Sequence, residues 1–439
     1  MKIKRIELKR ESLKKLSLLI ILGMLWIPSI EAKTIYVATN GNDSTGNGSS
    51  SKPYKTVWFA MKKVNAGDTM RIKPGTYNET KSTGINKTGT SSSKKIIIRA
   101  DNPSNRPTID FNNTTSSIGV FINTPYVIWD GVHVREGNWG ITVQSHHVII
   151  RNINVYKCTL SGVRFYEGGN DSTLEKSNIY DNGRINAARD GVNNWPHAVL
   201  GVNSNKVTVK ECKIYRNHGE GVGPYRGCED WRIRDNEIYD NWSINLYIDT
   251  DEKKCTVERN LIYYTGYMPT SDARNKPDGI RIANEIADFF NDTTPVVSGI
   301  HIRNNIIINC RGGISSFPYA PKKEYKLKNS TIVNNTIYKT VDGKKGIRVD
   351  SHDGGVKVRN NIVRNTSGIQ LAGGVINSNN FTGDPKFVFG SGQNNANSYK
   401  LKSASPCRNA GTSSNAPSND YGKRSRPLEG VDDIGAWEY

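Results

Sequence analysis

The sequence predicts an all-β chain wound as a parallel β-helix, and two observations carry the prediction. The first is a unit that returns every 24 residues. VTVKECKIYRN at 207–217, WRIRDNEIYDN at 231–241 and CTVERNLIYYT at 255–265 put Tyr215, Tyr239 and Tyr263 in one phase and Val209, Ile233 and Val257 in another. A fixed period of this length marks a solenoid, whose units bury their apolar faces only by stacking. The second is the pattern inside each unit. Apolar residues alternate over a few positions and then meet Asn or Gly, which is the period of short strands closed by turns and not of helices. Earlier copies end at Tyr156 and Tyr180, and later ones occupy 300–310, 330–340 and 356–366.

A chain of 439 residues has room for several globular domains, but stacked coils absorb that length in one. Hydrophobic content of 36%, 41 glycines and a mean hydropathy of −0.58 are low for a layered α/β enzyme and suit a thin core edged by exposed turns.

In chain order, residues 1–32 join a basic stretch, MKIKRIELKRESLKK, to an apolar run from Leu16 to Ile27 and end at Ala32, ahead of the strand TIYVA. This reads as a secretory signal, which sends the mature chain outside the cell or into a periplasm. The apolar run is short for a span, and no later segment approaches the ~20 apolar residues required, so no membrane span is expected after signal removal. An uncleaved anchor is the alternative. Residues 33–439 then read as one domain. Residues 33–80 hold a strand, a Gly/Asn/Ser loop, an amphipathic helix near Val57 to Val64 and another strand, a cap for an open end whose unpaired backbone would invite aggregation. Coils with inserted loops fill 81–380. Residues 381–439 are turn-rich without coil phase and read as the second cap.

Formal net charge is +19, of which residues 1–32 carry +4, leaving +15 on the mature chain. A cationic secreted chain favours polyanions: acidic polysaccharides, anionic lipid or envelope polymers, or extracellular DNA. A basic surface without a specific ligand is the plain alternative. Six cysteines are too few for a disulfide-dense scaffold, none forms a C-x-x-C pair, and buried small apolar residues are their default reading.

YVATNGNDSTGNGSSSKPYKT with AGDTMRIKPGTY, the Asn-rich coils, and the SPCRNAG and DIGAWEY ending together resemble the secreted pectate-lyase-like right-handed β-helix proteins over almost the whole mature chain. The resemblance implies a right-handed coil and a superfamily of polysaccharide lyases, glycoside hydrolases, epimerases and adhesive proteins. The family-nine pectate lyases have similar ends, but their aspartate-rich calcium cluster with a lysine base has no residue-by-residue match here.

A second strand in each coil aligns as GITVQ (140), GVRFY (162), AVLGV (198), GVGPY (221), NLYID (245), GIRIA (279), GISSF (313) and GIRVD (346). Alternation then points Val163, Val222, Leu246, Ile280 and Ile314 inward. It sends outward one column of Arg164, Leu200, Gly223, Tyr247, Arg281, Ser315 and Arg348, and a parallel one of Tyr166, Tyr225, Asp249, Ala283, Phe317 and Asp350. Excess residues enter beside this strand, as RINAARDGVNNWP before Ala198 and as insertions on both sides of Gly279, so a walled groove is expected over 190–285.

Its densest part is HGEGVGPYRG (218–227) beside INLYIDTDE (244–252). β-Elimination from a uronate needs a cation at the carboxyl, a base for the C5 proton and an acid for the leaving oxygen. Arg281, Arg226 or Lys276 could neutralise the carboxylate, Tyr225 or His218 could exchange protons, and Glu220 completes the candidate catalytic set. Arg164, Tyr166, Arg189, His197, Arg226, Tyr247 and Asp249 are candidate substrate contacts. Asp249 and Asp251 could contribute to a calcium site, although calcium needs six or more oxygens. Each has a structural alternative: a turn cap for His218, turn carboxylates for Glu220, Asp249 and Asp251, and ion pairs to Glu167 and Glu285 for Arg164 and Arg281. The Tyr215 series reads as a stack and not as a binding surface.

Charge, groove cations and resemblance together favour a secreted lyase acting as a monomer on an anionic uronate polysaccharide, with no cofactor beyond a calcium ion to be tested. A glycoside hydrolase using Glu220 and Asp249, or a non-catalytic glycan-binding β-helix, are the rivals. Nucleic acid is not an expected partner, since charge is its sole support, and no nucleotide-binding glycine motif lies between strand and helix.

Overall fold

The computed structural model describes residues 31–112, 118–188, 195–267, 276–283, 297–316, 327–390 and 392–439. From Thr34 onward the chain forms one compact unit. Its described strands stack in parallel into three long sheets. Sheet 1 has 13 strands, from Thr34–Val37 to Ile376–Ser378; sheet 2 has 11, from Thr76–Asn78 to Ile362–Arg364; sheet 3 has 11, from Thr83–Ile85 to Ile369–Leu371. One coil contributes Thr208–Lys210, Lys213–Tyr215 and Glu220–Arg226, one strand to each sheet, and the next repeats them at Arg232–Arg234, Glu237–Tyr239 and Ile244–Ile248. The 24-residue period is therefore the circumference of a coil.

The stack works because identical phases meet. Val209 pairs with Ile233 and Ile233 with Val257, all fully buried, so each β-branched side chain packs on its copies above and below. Between sheets 1 and 2 the chain bends at single left-handed residues, among them Asp235, Asn304, Asn334 and Asn360 with φ of 53° to 57°. Asp and Asn tolerate that region better than most side chains. The next residue turns its amide into the interior. Asn236, Asn260, Asn305, Asn335, Asn361 and Asn380 form a ladder of Nδ2–H···Oδ1 bonds of 2.8 to 3.0 Å. Each amide also donates to a strand carbonyl of the preceding coil, so the polar turn atoms inside the tube are paired. A second ladder runs from Asn182 through Asn217 and Asn241 to Asn245.

On the outside of sheet 2, Tyr156, Tyr180, Tyr215, Tyr239 and Tyr263 stack with centroids 4.6 to 5.1 Å apart and ring planes within 7° of parallel. This is the in-register spacing of the strands themselves. All six cysteines are buried and free.

Near the amino terminus, α1 (Val57–Lys63) buries Val57, Ala60 and Met61 in the main core. Thr56 caps it, accepting from the N–H of Phe59, while the buried Glu79 carboxylate accepts from the N–H groups of Val57 and Trp58. Residues after 380 follow the last coil, where Phe381 bridges to Ile362, and then run back along the flank of the stack. Asn304, Asn334 and Asn360 donate to the carbonyls of Asn419, Asp433 and Thr412, and Trp437, Tyr399 and Phe387 cover Ile306, Ile308 and Ile362. Outward apolar side chains on sheet 2 reward this lateral packing, which a plug over the last coil alone would leave wet. Among the described residues no helix is long and apolar enough to cross a membrane.

Candidate active site

Sheet 3 bears out the inner register read from sequence. Val163, Val199, Val222, Leu246, Ile280 and Ile314 are cross-strand partners in succession and fully buried. The first outward column is also in register: Arg164, Leu200 and Gly223 pair in turn, as do Tyr247, Arg281, Ser315 and Arg348.

Two expectations about the face are corrected. A bulge between Gly201 and Val202 sets Arg226, and not Tyr225, opposite Val202 and so in line with Tyr166. The extra residue lets the strand carry Tyr225 and Arg226 at one level where strict alternation allows one side chain. The other correction concerns exposure: Tyr247 is 3% exposed and Asp249 and Ala283 are fully buried. Ile244, Tyr247 and Ala283 form an apolar cluster separate from the main core, so this face is a lined floor and not an open surface. Phe317 and Arg189 lie outside the described residues.

The centre of the floor is a pair that strand alternation hides. Counting back from the inward Val199 sends His197 inside. Instead Ala198 and Val199 both belong to the core, because the chain turns a corner as it enters the strand, and His197 emerges on the outer face. Glu220 is its cross-strand partner, and Nε2 of His197 lies 2.7 Å from Oε2 of Glu220 with both side chains almost fully buried. The carboxylate sits off the ring's N–H axis, so Nε2 is in close contact with it without a linear hydrogen bond. The imidazole occupies space left by Gly223, where an added Cβ would fall 2.1 Å from its Cδ2 and 2.5 Å from Nε2. Tyr225 lies 5.3 Å from the imidazole centroid to centroid, and the Tyr247 ring lies nearly parallel to it at 6.3 Å. The Arg281 guanidinium is 5.9 Å from the Tyr247 centroid on the next strand. His197, Glu220, Tyr225, Tyr247 and Arg281 are thus drawn together from four successive strands.

Other candidates stand apart from that group. Lys276 precedes its strand and donates to Asn309 Oδ1 at 2.9 Å, toward the turn from sheet 2; burial and the neighbouring Lys339 lower its pKa. His218 is half-buried two residues before its strand, held by backbone bonds to Asn182 and Asn186. Arg164 does not pair with Glu167. Its guanidinium lies 3.9 Å from the Trp139 centroid and 5.0 Å from that of Tyr166, and burial pulls its pKa down to about 10. Asp278, unremarked in the sequence, shares the outer column of Glu220 and pairs with Arg311, Nε to Oδ1 at 2.9 Å.

Asp249 and Asp251 do not fit a calcium ion. Asp249 Oδ1 accepts from the N–H and hydroxyl of Thr250, Asp251 lies 3.3 Å from the Lys253 ammonium, and no three metal-ligating side chains converge among the described residues. Calcium requires six to eight oxygens, more than these two carboxylates offer. A cleft of about 470 Å³ at the turns 339–343 and 365–367 lies elsewhere and has no imidazole in its lining.

Three parallel sheets stacked coil on coil, with buried acid–base groups facing outward from one of them, define a parallel β-helix protein. Its sequence matches the family described as "Pel9A-like, right handed beta helix region" over residues 35–366, and the chain belongs to that family. Pectate lyase L of Dickeya dadantii (strain 3937) is 32% identical over 166 residues, 35% of this chain and 38% of that protein. The match therefore spans well under half of the length of that relative. Among solved structures, the crystal structure of pectate lyase Pel9A superposes with a TM-score of 0.62 at 20% identity, covering 92% of this chain and 96% of the other. The complex of XylC with xylose gives 0.58 at 12% identity, covering 92% and 98%. At these identities the superpositions speak for the fold.

Proposed function

We propose that the protein is a secreted polysaccharide lyase that cleaves an anionic, uronate-containing polymer by β-elimination. The observation that carries this reading is the buried His197–Glu220 pair facing Tyr225, Tyr247 and Arg281 on one outer face of sheet 3. The net charge of +15 that remains after residues 1–32 and the family of pectate lyase relatives support it.

In the proposed reaction, Arg281 binds the uronate carboxylate and stabilises the charge that grows on it as the C5 proton leaves. His197 and Tyr225 are the proton-transfer groups. The Glu220 carboxylate, 2.7 Å from Nε2, holds the buried ring in place. One group takes the C5 proton, the electron pair of that bond forms the C4=C5 double bond, the C4–O4 bond breaks, and the second group returns a proton to O4. Tyr247 forms the floor beneath the sugar. The pair adds a constraint absent from the sequence reading, since His197 moves from substrate contact to proton transfer.

Incubation with pectate, alginate, glycosaminoglycans and glucuronans, following the ultraviolet absorbance of unsaturated products, tests the proposal. New reducing ends without that absorbance would mean a hydrolase, and binding without either product a glycan-binding protein.

A further inference from the structure

The outer face of sheet 3 continues toward the amino-terminal end well beyond His197, and there it meets α1. Gly84 pairs with Phe121, Phe121 with Thr142, Thr142 with Arg164, Arg164 with Leu200 and Leu200 with Gly223, so one column runs from the capping helix to the site floor. At about 4.8 Å per strand, Arg164 lies roughly 10 Å and Gly84 roughly 24 Å from Gly223.

The stations along this path share one chemistry. Arg164 is held by Trp139, Tyr166 and the Thr142 hydroxyl, which accepts from its Nε at 2.8 Å, and among the described residues no carboxylate is near enough to shift its ionisation. Farther out, a cleft of about 260 Å³ is lined by Trp58, Lys62, Ser82, Gly84, Asn86 and Asn123. The Lys62 ammonium lies 3.3 Å and that of Lys81 4.6 Å from the Trp58 ring centroid, and among the described residues neither has a carboxylate within ion-pair distance. Gly84 leaves the floor open, since a Cβ there would meet only Phe121, at 3.6 Å. Two uncompensated ammonium groups gathered on one indole beside the amides of Asn86 and Asn123 suit a uronate: the carboxylate meets the cations that the indole holds in place, and the hydroxyls meet the amides.

We infer that Trp58, Lys62 and Lys81 form a distal subsite for a uronate of the same polymer, reached through Arg164, so that the capping helix selects long chains. This rests on the polyuronate reading above. The test compares wild type with Trp58→Ala/Lys62→Ala/Lys81→Ala on short oligouronates and on ones spanning at least ~24 Å. The expected result is KM raised about tenfold on long chains only, with kcat unchanged. An equal change at every length, or none, overturns the inference. Lys62→Glu/Lys81→Glu, which keeps the Trp58 packing, guards against a helix that merely unfolds; its thermal midpoint should match wild type while long-chain KM rises. Retardation in gels containing each polyuronate reads the subsite without catalysis. A triple variant retarded less than wild type supports the subsite even if no polymer is cleaved, and equal retardation overturns it while leaving the lyase reading to its own assay.

Discussion

Gly223→Ala probes the catalytic proposal with a single methyl group. Gly223 is buried on the outer side of its strand, and its φ lies outside the left-handed region, so alanine imposes no backbone strain. The new Cβ would sit 2.1 Å from His197 Cδ2, whereas ordinary contact begins near 3.4 Å, so the ring must retreat by about 1.3 Å. Such a move separates Nε2 from Glu220, now 2.7 Å away, and displaces the ring from Tyr225. A misplacement of about 1 Å in a reacting group costs roughly a hundredfold. We therefore expect kcat/KM on the cleaved polyuronate to fall about a hundredfold, with kcat carrying the loss, while urea denaturation loses about 1 to 3 kcal/mol, the cost of crowding a packed site, and the chain stays folded in the assay. Activity within twofold of wild type would refute the placement of His197 in the proton-transfer step. So would a loss of activity explained by unfolding of the chain in the assay.

Tyr225→Phe and Arg281→Ala should each abolish formation of unsaturated product and leave the circular dichroism spectrum unchanged; full activity in both discards the site. Asn260→Ala removes a fully buried amide that donates to Ile233 and Asn305 and accepts from Asn236, stranding several polar groups at about 1 to 3 kcal/mol each. A loss of at least ~3 kcal/mol is expected in urea denaturation, and a loss below ~1 kcal/mol would contradict the ladder as a stabilising device. Glu79 titrates at about 7 in the folded chain, raised by burial above its ordinary 4.5 despite the two N–H groups it accepts from. Because the native state binds the proton more tightly, the stabilisation is complete below pH 4.5 and is lost as pH rises through about 7. Glu79→Gln should flatten the decline of the thermal midpoint between pH 5 and 8, and an unchanged slope would show that Glu79 is not its source.

Much of the architecture was legible because in-register stacking repeats its chemistry. Val209, Ile233 and Val257 recur in phase since each must pack on the others, and the Asn in the middle of each unit from Asn236 onward recurs since its amide bonds its copy one coil away. The Tyr215 series was readable as a stack for the same reason. The helix expected near Val57 to Val64 appears at Val57–Lys63, with its capping Thr56 in the sequence, whereas its second N-terminal partner, Glu79, is 22 residues away and carries no local signal.

What the sequence determined alone is whatever repeats: the coil, its inward register and the outward column that contains Arg164, Gly223, Tyr247 and Arg281. The tertiary structure decided what breaks the repeat. The corner that puts Ala198 and Val199 both inside turns His197 out toward Glu220, and the bulge at Gly201 shifts Tyr225 out of line with Tyr166. Periodicity reports positions constrained by equivalent neighbours. The groups proposed for chemistry sit where equivalence fails, so their meeting depended on three-dimensional geometry that strand alternation could not supply.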